Sequence, residues 1–286
     1  MTKPELIDLH HQGHERTVAS YLLDTDDGPA LFDCGPTTTL AALRNGLEQH
    51  GLQLTDVRHL LLSHIHLDHA GAAGVLVREN PQLQVHVSEI GAPHLVEPER
   101  LERSARRLYG DAFDTLWGEL APVPQANVHV VGDHVLGLAC FPTPGHASHH
   151  VCYLDRDGTL YAGDAAGVRI QPGRAVLPPT PPPDFDLERW QRTIEDLERR
   201  DPERLALIHF GVADDPQRHL AELRLELYDW ADFVRGGAGE DEFVAYVRAE
   251  LADSGEHLED WDTAMPLWQS YQGLKRWADL SAAAAT

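Results

Sequence analysis

The sequence predicts a mixed α/β domain with sheets and helices in layers, followed by a helical C-terminal segment. Three observations carry this expectation. Short aliphatic and β-branched runs alternate with helix-like segments over the first two thirds of the 286-residue chain. An Asp157-Gly158 turn between two such runs marks a hairpin, so the pattern is not purely parallel. After Gly211 no convincing strand follows.

Taken in order, the strand expectations are 17–24, 30–33, 57–63, 84–88, 127–131, 135–141, 151–154, 159–162 and 205–210. Each is short, apolar or β-branched, and bounded by turn residues such as Asp27-Gly28. A helix is expected over 39–50, where Leu40, Leu43 and Leu47 form a stripe closed by Gly51. A second is expected over 186–200, with Leu187, Trp190, Ile194 and Leu197 on one face. Residues 216–234, 240–252 and 261–280 also read as helices, with a Gly-rich break at 236–239. They give a helical C-terminal extension, 212–286, after an α/β domain of 1–211. Within 261–280, Trp261, Trp268 and Tyr271 fall on one helical face. Packing onto the sheets is the favoured role for that face, with a cleft wall or a homodimer contact as the alternatives.

Two stretches interrupt the alternation. Residues 91–124 contain an Arg-rich helix with Arg100, Arg103 and Arg107 on one face. It reads as a solvated surface helix paired with Glu99 and Glu102, rather than an anion anchor over a cleft. Residues 167–186 contain the Pro-rich run 177–186, which should be extended and semi-rigid.

Composition narrows the function classes. The chain has 46 acids against 23 Lys and Arg, a formal charge of −23, so it has no general affinity for nucleic acid or anionic membranes. Between residues 186 and 262 the acids outnumber the arginines 22 to 9, which reads as a solvated helical surface. No apolar run is long enough to span a membrane, and the N-terminal stretch carries no apolar signal core. Cys34, Cys140 and Cys152 are odd in number and form no CxxC, so they read as buried small residues in a reducing, cytoplasmic setting.

The chemistry concentrates at the end of one apolar strand. Leu60-Leu-Leu-Ser runs into His64, His66, Asp68 and His69 within six residues. In an extended segment His64 and His66 share a face, and a turn then brings Asp68 and His69 to a helix start. Burying so many ionisable groups without a metal would leave them competing for partners. Imidazoles with a carboxylate suit zinc, iron or manganese. Three further ligand candidates, His146, Asp164 and His209, stand at or just beyond apolar strands and beside glycines. The remaining histidines lack ligand spacing: His10, His11, His14, His50, His59, His86, His94, His129, His134, His219 and His257. His149 and His150 lie close to His146, and a role supporting a ligand is the lesser of two readings for them.

These four ordered motifs, from His64-x-His66-x-Asp68-His69 through His146 and Asp164 to His209, resemble the metallo-β-lactamase-fold hydrolase superfamily over roughly residues 6–211. The resemblance implies an α/β, four-layer αβ/βα sandwich with the site at one edge of two facing sheets. It implies one metal on His64, His66 and His146, a second on Asp68, His69 and His209, and Asp164 as the bridge. The cofactors expected are therefore two divalent ions, zinc first, with iron or manganese as alternatives. A hydroxide held by the metals would attack the substrate, and Asp68 would be the catalytic residue that orients it or passes a proton to the leaving group. Asp33, in Phe32-Asp33-Cys34-Gly35, matches the family's early Asp-x-Gly turn and is expected to be structural.

Among the family's branches, a secreted lactamase is disfavoured by the N-terminal stretch. Nucleic-acid processing is disfavoured by the acidity. A flavodiiron reductase is disfavoured because His66 stands where its pattern has Glu. What remains is similar to glyoxalase II and acyl-homoserine lactonases, which hydrolyse thioesters, esters or lactones. The expected partner is a small, neutral or singly charged acyl substrate, with residues 178–183 on one rim of its pocket. The alternatives are a persulfide-dioxygenase-like enzyme with one iron on His64, His146 and Asp164, and a non-catalytic metal-binding regulator.

Overall fold

The computed structural model describes residues 4–284. Its first half builds one sheet: β1 (Glu5–Asp8), β2 (Ala19–Thr25), β3 (Gly28–Phe32), helix α1 (Leu40–Gln49) and β4 (His59–Leu61). The chain continues through α2 (Leu67–Ala70), α3 (Ala73–Glu79), β5 (Gln84–Val87), α4 (Ala92–Val96), α5 (Glu99–Tyr109), α6 (Phe113–Leu116) and β6 (Val128–Val130). The six strands lie in sequence order. β1, β2 and β3 pair antiparallel, the second pair turning at Asp26-Asp27. β3 to β6 run parallel, with helices as crossovers.

The second half builds the facing sheet from β7 (His134–Val135), β8 (Leu138–Pro142), β9 (Val151–Leu154) and β10 (Thr159–Tyr161). Helix α7 (Leu187–Arg200) leads to β11 (Arg204–Leu207) and β12 (Gly211–Ala213), which complete it. Asp157-Gly158 turns a β9–β10 hairpin as expected. Four helices follow: α8 (Pro216–Arg235), α9 (Glu240–Asp253), α10 (Leu258–Ala264) and α11 (Leu267–Ala284).

β11 shows how period-two alternation sets the layers. Ala206 belongs to the core between the two sheets, while Leu205 and Leu207 belong to a second core under the helices. The first core closes with Phe32 edge-on to Tyr153 and Tyr161, at ring separations of 5.8 and 5.4 Å. The Tyr21 hydroxyl donates across it to the Leu207 carbonyl (2.8 Å), and the Tyr153 hydroxyl to that of Leu62 (2.9 Å). Leu40, Leu43 and Leu47 of α1 cover the outer face of the first sheet. Trp190, Trp230, Phe243, Trp261 and Trp277 fill the second core, so α7 to α11 share it with the second sheet. The result is a four-layer sandwich of helices, sheet, sheet and helices.

Several local expectations are corrected. The strand expected over 135–141 is a short hairpin, β7–β8, because Leu136 and Gly137 both adopt positive φ and turn the chain. The edge strands β1 and β12 were not foreseen, and β12 places a strand at 211–213. The helix expected over 261–280 is two helices separated at Met265-Pro266, since proline cannot continue a helical hydrogen-bond ladder. Trp261 therefore lies on α10, apart from Trp268 and Tyr271 on α11. All three cysteines are free and buried. Among the described residues, no helix is long and apolar enough to cross a membrane.

Candidate metal centre

The strand ends of both sheets deliver all seven residues of the ligand pattern to one place. His64 and His66 lie in the loop after β4, and Asp68 and His69 on the single turn of α2. His146 comes from the β8–β9 loop, Asp164 from the turn after β10, and His209 from the β11–β12 turn. Ligand atoms of His64, His66 and His146 form one close group, and those of Asp68, His69 and His209 another. His64, His69 and Asp164 form a third that overlaps both.

Hydrogen bonds on the far side of each ring decide which nitrogen points inward. The Ser63 hydroxyl donates to Asp33 Oδ2 (2.7 Å), so it accepts from His64 Nδ1 (2.9 Å). His69 Nδ1 donates to Asp33 Oδ2 (2.8 Å), His146 Nδ1 to the Pro179 carbonyl (2.8 Å), and His209 Nδ1 to the Thr17 carbonyl (2.6 Å). In the neutral imidazoles, each Nε2 is then a bare lone pair aimed at the shared centre. His64 Nε2 and His146 Nε2 lie 3.3 Å apart, and His66 Nδ1 is 2.9 and 3.0 Å from them. A tetrahedral ion with metal–nitrogen bonds of about 2.0–2.1 Å requires ligand separations of about 3.3 Å. Two lone pairs facing each other at this distance repel unless a cation lies between them.

Asp164 spans the two groups. Its Oδ2 is 3.3 Å from His146 Nε2, and its Oδ1 is 3.3 Å from His69 Nε2 and 3.6 Å from His209 Nε2. Asp68 Oδ2 lies 3.4 Å from His209 Nε2 and 3.8 Å from His69 Nε2. His69 Nε2 and Asp164 Oδ1 are buried with no hydrogen-bond partner. Such groups are rare unless something else satisfies them. Orphaned inward atoms, fixed tautomers and a nitrogen–carboxylate donor set together fit divalent cations.

Electrostatics divides the cluster. Burial and the neighbouring imidazoles push His64 and His66 well below the usual histidine range. Burial also lowers His146, against the pull of Asp164. At His69 burial acts downward too, but the Asp164, Asp68 and Asp33 carboxylates outweigh it and raise the imidazole. His209 is raised in the same way by Asp164 and Asp68. Burial works against ionising Asp68 and Asp164, yet the facing histidines hold both below the usual carboxylate range.

The supporting residues were only partly foreseen. Asp33, expected to be structural, is fully buried at positive φ and takes three hydrogen bonds, from Ser63 N, Ser63 Oγ and His69 Nδ1. His150 takes the supporting role considered for the 149–150 pair. Its Nε2 accepts from the Asp164 amide (3.1 Å), and its Nδ1 donates to Thr143 Oγ1 (2.7 Å). The turn is tight: a Cβ at Gly163 would stand 2.6 Å from Ser63 Cβ and 2.7 Å from His150 Nε2, at a φ of +50°. Pro179 and Thr17 carry no sequence signal, since they act through backbone carbonyls. His11, set aside for want of spacing, is buried within the influence of Asp68 and His209. On α5, Arg106 pairs with Glu102 and Asp114, each at 2.8 Å, while Arg100, Arg103 and Arg107 are exposed.

Comparison with known proteins places this geometry. The model of the metallo-beta-lactamase superfamily matches residues 14–209. The protein YobT of Bacillus subtilis is 28% identical over 163 residues, covering 53% of this chain and 63% of that one. "Lactamase-like protein adaB" of Aspergillus niger is 29% identical over 148 residues, covering 51% of this chain and 38% of that one. The matches thus span less than two thirds of either relative's length. The crystal structure of a metallo-beta-lactamase family protein from Thermus thermophilus superposes with a TM-score of 0.67 at 22% identity, covering 93% of this chain and 89% of that one. With the superfamily's own pattern matched over more than half its length, and the sandwich reproduced, the chain belongs to the metallo-beta-lactamase superfamily.

Proposed function

We propose that the chain is a hydrolase that holds two divalent cations and cleaves a small ester, lactone or thioester. The observation that carries this reading is Asp164, one oxygen beside His146 and the other beside His69 and His209. His64, His66 and His146 would hold one ion, Asp68, His69 and His209 the other, and Asp164 both. Two such ions, zinc being the expected species, supply an ionised water at neutral pH and polarise a carbonyl oxygen as Lewis acids.

The chain's own part is positioning and proton handling. The Asp68 side chain is 25% exposed, so this carboxylate of the cluster faces the approach to the site. Held ionised by His69 and His209, it would take a proton from the attacking water and pass it to the leaving group. The buried imidazoles hold their orientation through the Asp33, Pro179 and Thr17 acceptors, so little reorganisation is needed during the reaction. A single-iron dioxygenase would use His64, His146 and Asp164 and leave Asp68, His69 and His209 converging without a task. The "lactamase-like" name of the Aspergillus niger relative agrees with a hydrolytic reading.

Elemental analysis of protein purified without chelator should give two metal ions per chain. A panel of lactones, thioesters and phosphodiesters should then show turnover of the acyl substrates. One iron per chain with oxygen consumption, or preference for phosphodiesters with acyl turnover at background, would overturn the reading.

A further inference from the structure

Outside the two sheets, aromatic side chains from three separate parts of the chain converge. His11 comes from the turn after β1, Tyr109 and Trp117 from the end of α5 and the residue after α6, and Trp268 from α11. His11 stacks on Trp117, with ring centroids 5.3 Å apart and 16° between planes. Tyr109 meets Trp117 edge-on at 5.1 Å and Trp268 edge-on at 6.5 Å. The row is tied to the metal centre at two points. The loop that carries His11 runs on to Thr17, whose carbonyl accepts from His209 Nδ1 (2.6 Å), and Thr37 Oγ1, beside Trp117, lies 3.5 Å from the Gly71 carbonyl at the end of the turn that carries Asp68 and His69.

The row is held in place. Thr37 Oγ1 donates to the Glu119 carbonyl (2.6 Å) and Thr38 Oγ1 to that of Leu116 (2.8 Å), fixing the chain on either side of Trp117. It is also unsatisfied. Trp117 Nε1 is buried with no hydrogen-bond partner, as is His11 Nδ1. An indole N–H can only donate, so what is missing is an acceptor. Buried donors of this kind are costly to leave open, and a ligand oxygen would close them.

We propose that these rings form the acyl-recognition box of the enzyme, and that the acyl group it selects is a planar aromatic one bearing an oxygen acceptor. The proposal rests on the hydrolase reading above and names its substrate class. Ring faces and edges of Tyr and Trp reward an aromatic guest through stacked and edge-to-face contacts beyond the area buried. An alkyl chain of equal size gains only the area. The box is assembled from the 91–124 insertion and the C-terminal helices, elements outside the two sheets, where substrate choice is set without disturbing the metal ligands.

The test uses the full chain loaded with zinc. Thioesters of a naphthoyl or phenylacetyl group are compared with hexanoyl and decanoyl thioesters, and tryptophan fluorescence is followed during titration with 2-naphthoate and with octanoate. The expected result is an aryl preference of about tenfold in kcat/KM, equivalent to about 1.4 kcal/mol. Trp268→Leu, which keeps an apolar side chain but removes the ring, should cut that preference to about threefold or less, mainly through KM. Trp117→Leu should act likewise if the first variant does not fold. Naphthoate should give a saturable fluorescence change that weakens about tenfold in the variant, while octanoate gives none. Equal handling of aryl and alkyl groups by the unaltered protein, or an undiminished preference in both variants, would overturn the proposal. If no ester is cleaved at all, the hydrolase reading fails and the naphthoate titration decides the box alone. Saturable binding lost in Trp268→Leu supports it, and absence of binding refutes it.

Discussion

The Pro179 carbonyl accepts a hydrogen bond from His146 Nδ1 at 2.8 Å. That contact ties the Pro-rich strap to the metal centre, and the strap is in turn seated on the C-terminal helix. Thr180 Oγ1 donates to the Ser270 carbonyl (2.9 Å), and a Cβ at Gly273 would stand 1.9 Å from the Thr180 carbonyl oxygen. Residues 178–183 were expected to be a pocket rim. The structure gives the strap the part of orienting a ligand-pattern histidine.

Gly273→Ala should therefore act at a distance. The new methyl cannot coexist with the Thr180 carbonyl, so either the strap or α11 shifts, at a cost of about 1–3 kcal/mol. We expect a lower denaturation midpoint together with less than two metal ions per chain. Unchanged stability and metal content would show that His146 does not depend on the strap.

Asp164→Ala should lower occupancy of both ions, because each of its oxygens faces a different histidine group. His66→Ala should lower occupancy of one ion and remove most activity, since His66 contacts only the first group. Metal counting on the two variants distinguishes shared from private ligands. Loss of one ion in both would deny the bridging role of Asp164.

His150→Leu keeps an apolar side chain of similar bulk but removes the acceptor for the Asp164 amide and the donor to Thr143. A supporting group of this kind is worth about 10–100-fold in metal affinity. Competition with a chelator of known affinity would measure it, and an unchanged affinity would reduce His150 to packing.

Acid should act in two ways. His69 and His209 are raised by the surrounding carboxylates, so protons compete with metal for their Nε2 atoms, and affinity should fall as pH falls. Separately, His219 is buried and lowered to about 4, chiefly by burial. A histidine neutral in the folded state costs nothing above its unfolded value of 6.5. Below that pH the unfolded chain binds the proton first, and stability is lost until the folded value is reached. His219 alone should remove about 2 kcal/mol between roughly pH 7 and pH 5. The urea midpoint of His219→Gln at those two pH values should shift less than that of the unaltered protein, and an equal shift would contradict the assignment.

What is local could be read along the chain. Apolar runs ending in His64, Asp164 and His209, a hairpin at Asp157-Gly158 and the stripes of α1 and α7 are fixed by neighbours within a few residues, so period and spacing reveal them. The ordered ligand pattern was legible for the same reason. Tertiary structure decided what depends on residues far apart. The carbonyls of Thr17 and Pro179 that orient His209 and His146 belong to no motif, because every residue offers the same carbonyl and only the folded chain aims it. The β1 and β12 edges are short strands whose pairing, rather than composition, makes them strands. Pro266 was plain in the sequence, yet only packing shows that α10 and α11 part there and leave Trp268 facing Tyr109 instead of aligned with Trp261. His11 is the same case: an ordinary histidine by spacing, it is buried and stacked on Trp117, a ring far away along the chain.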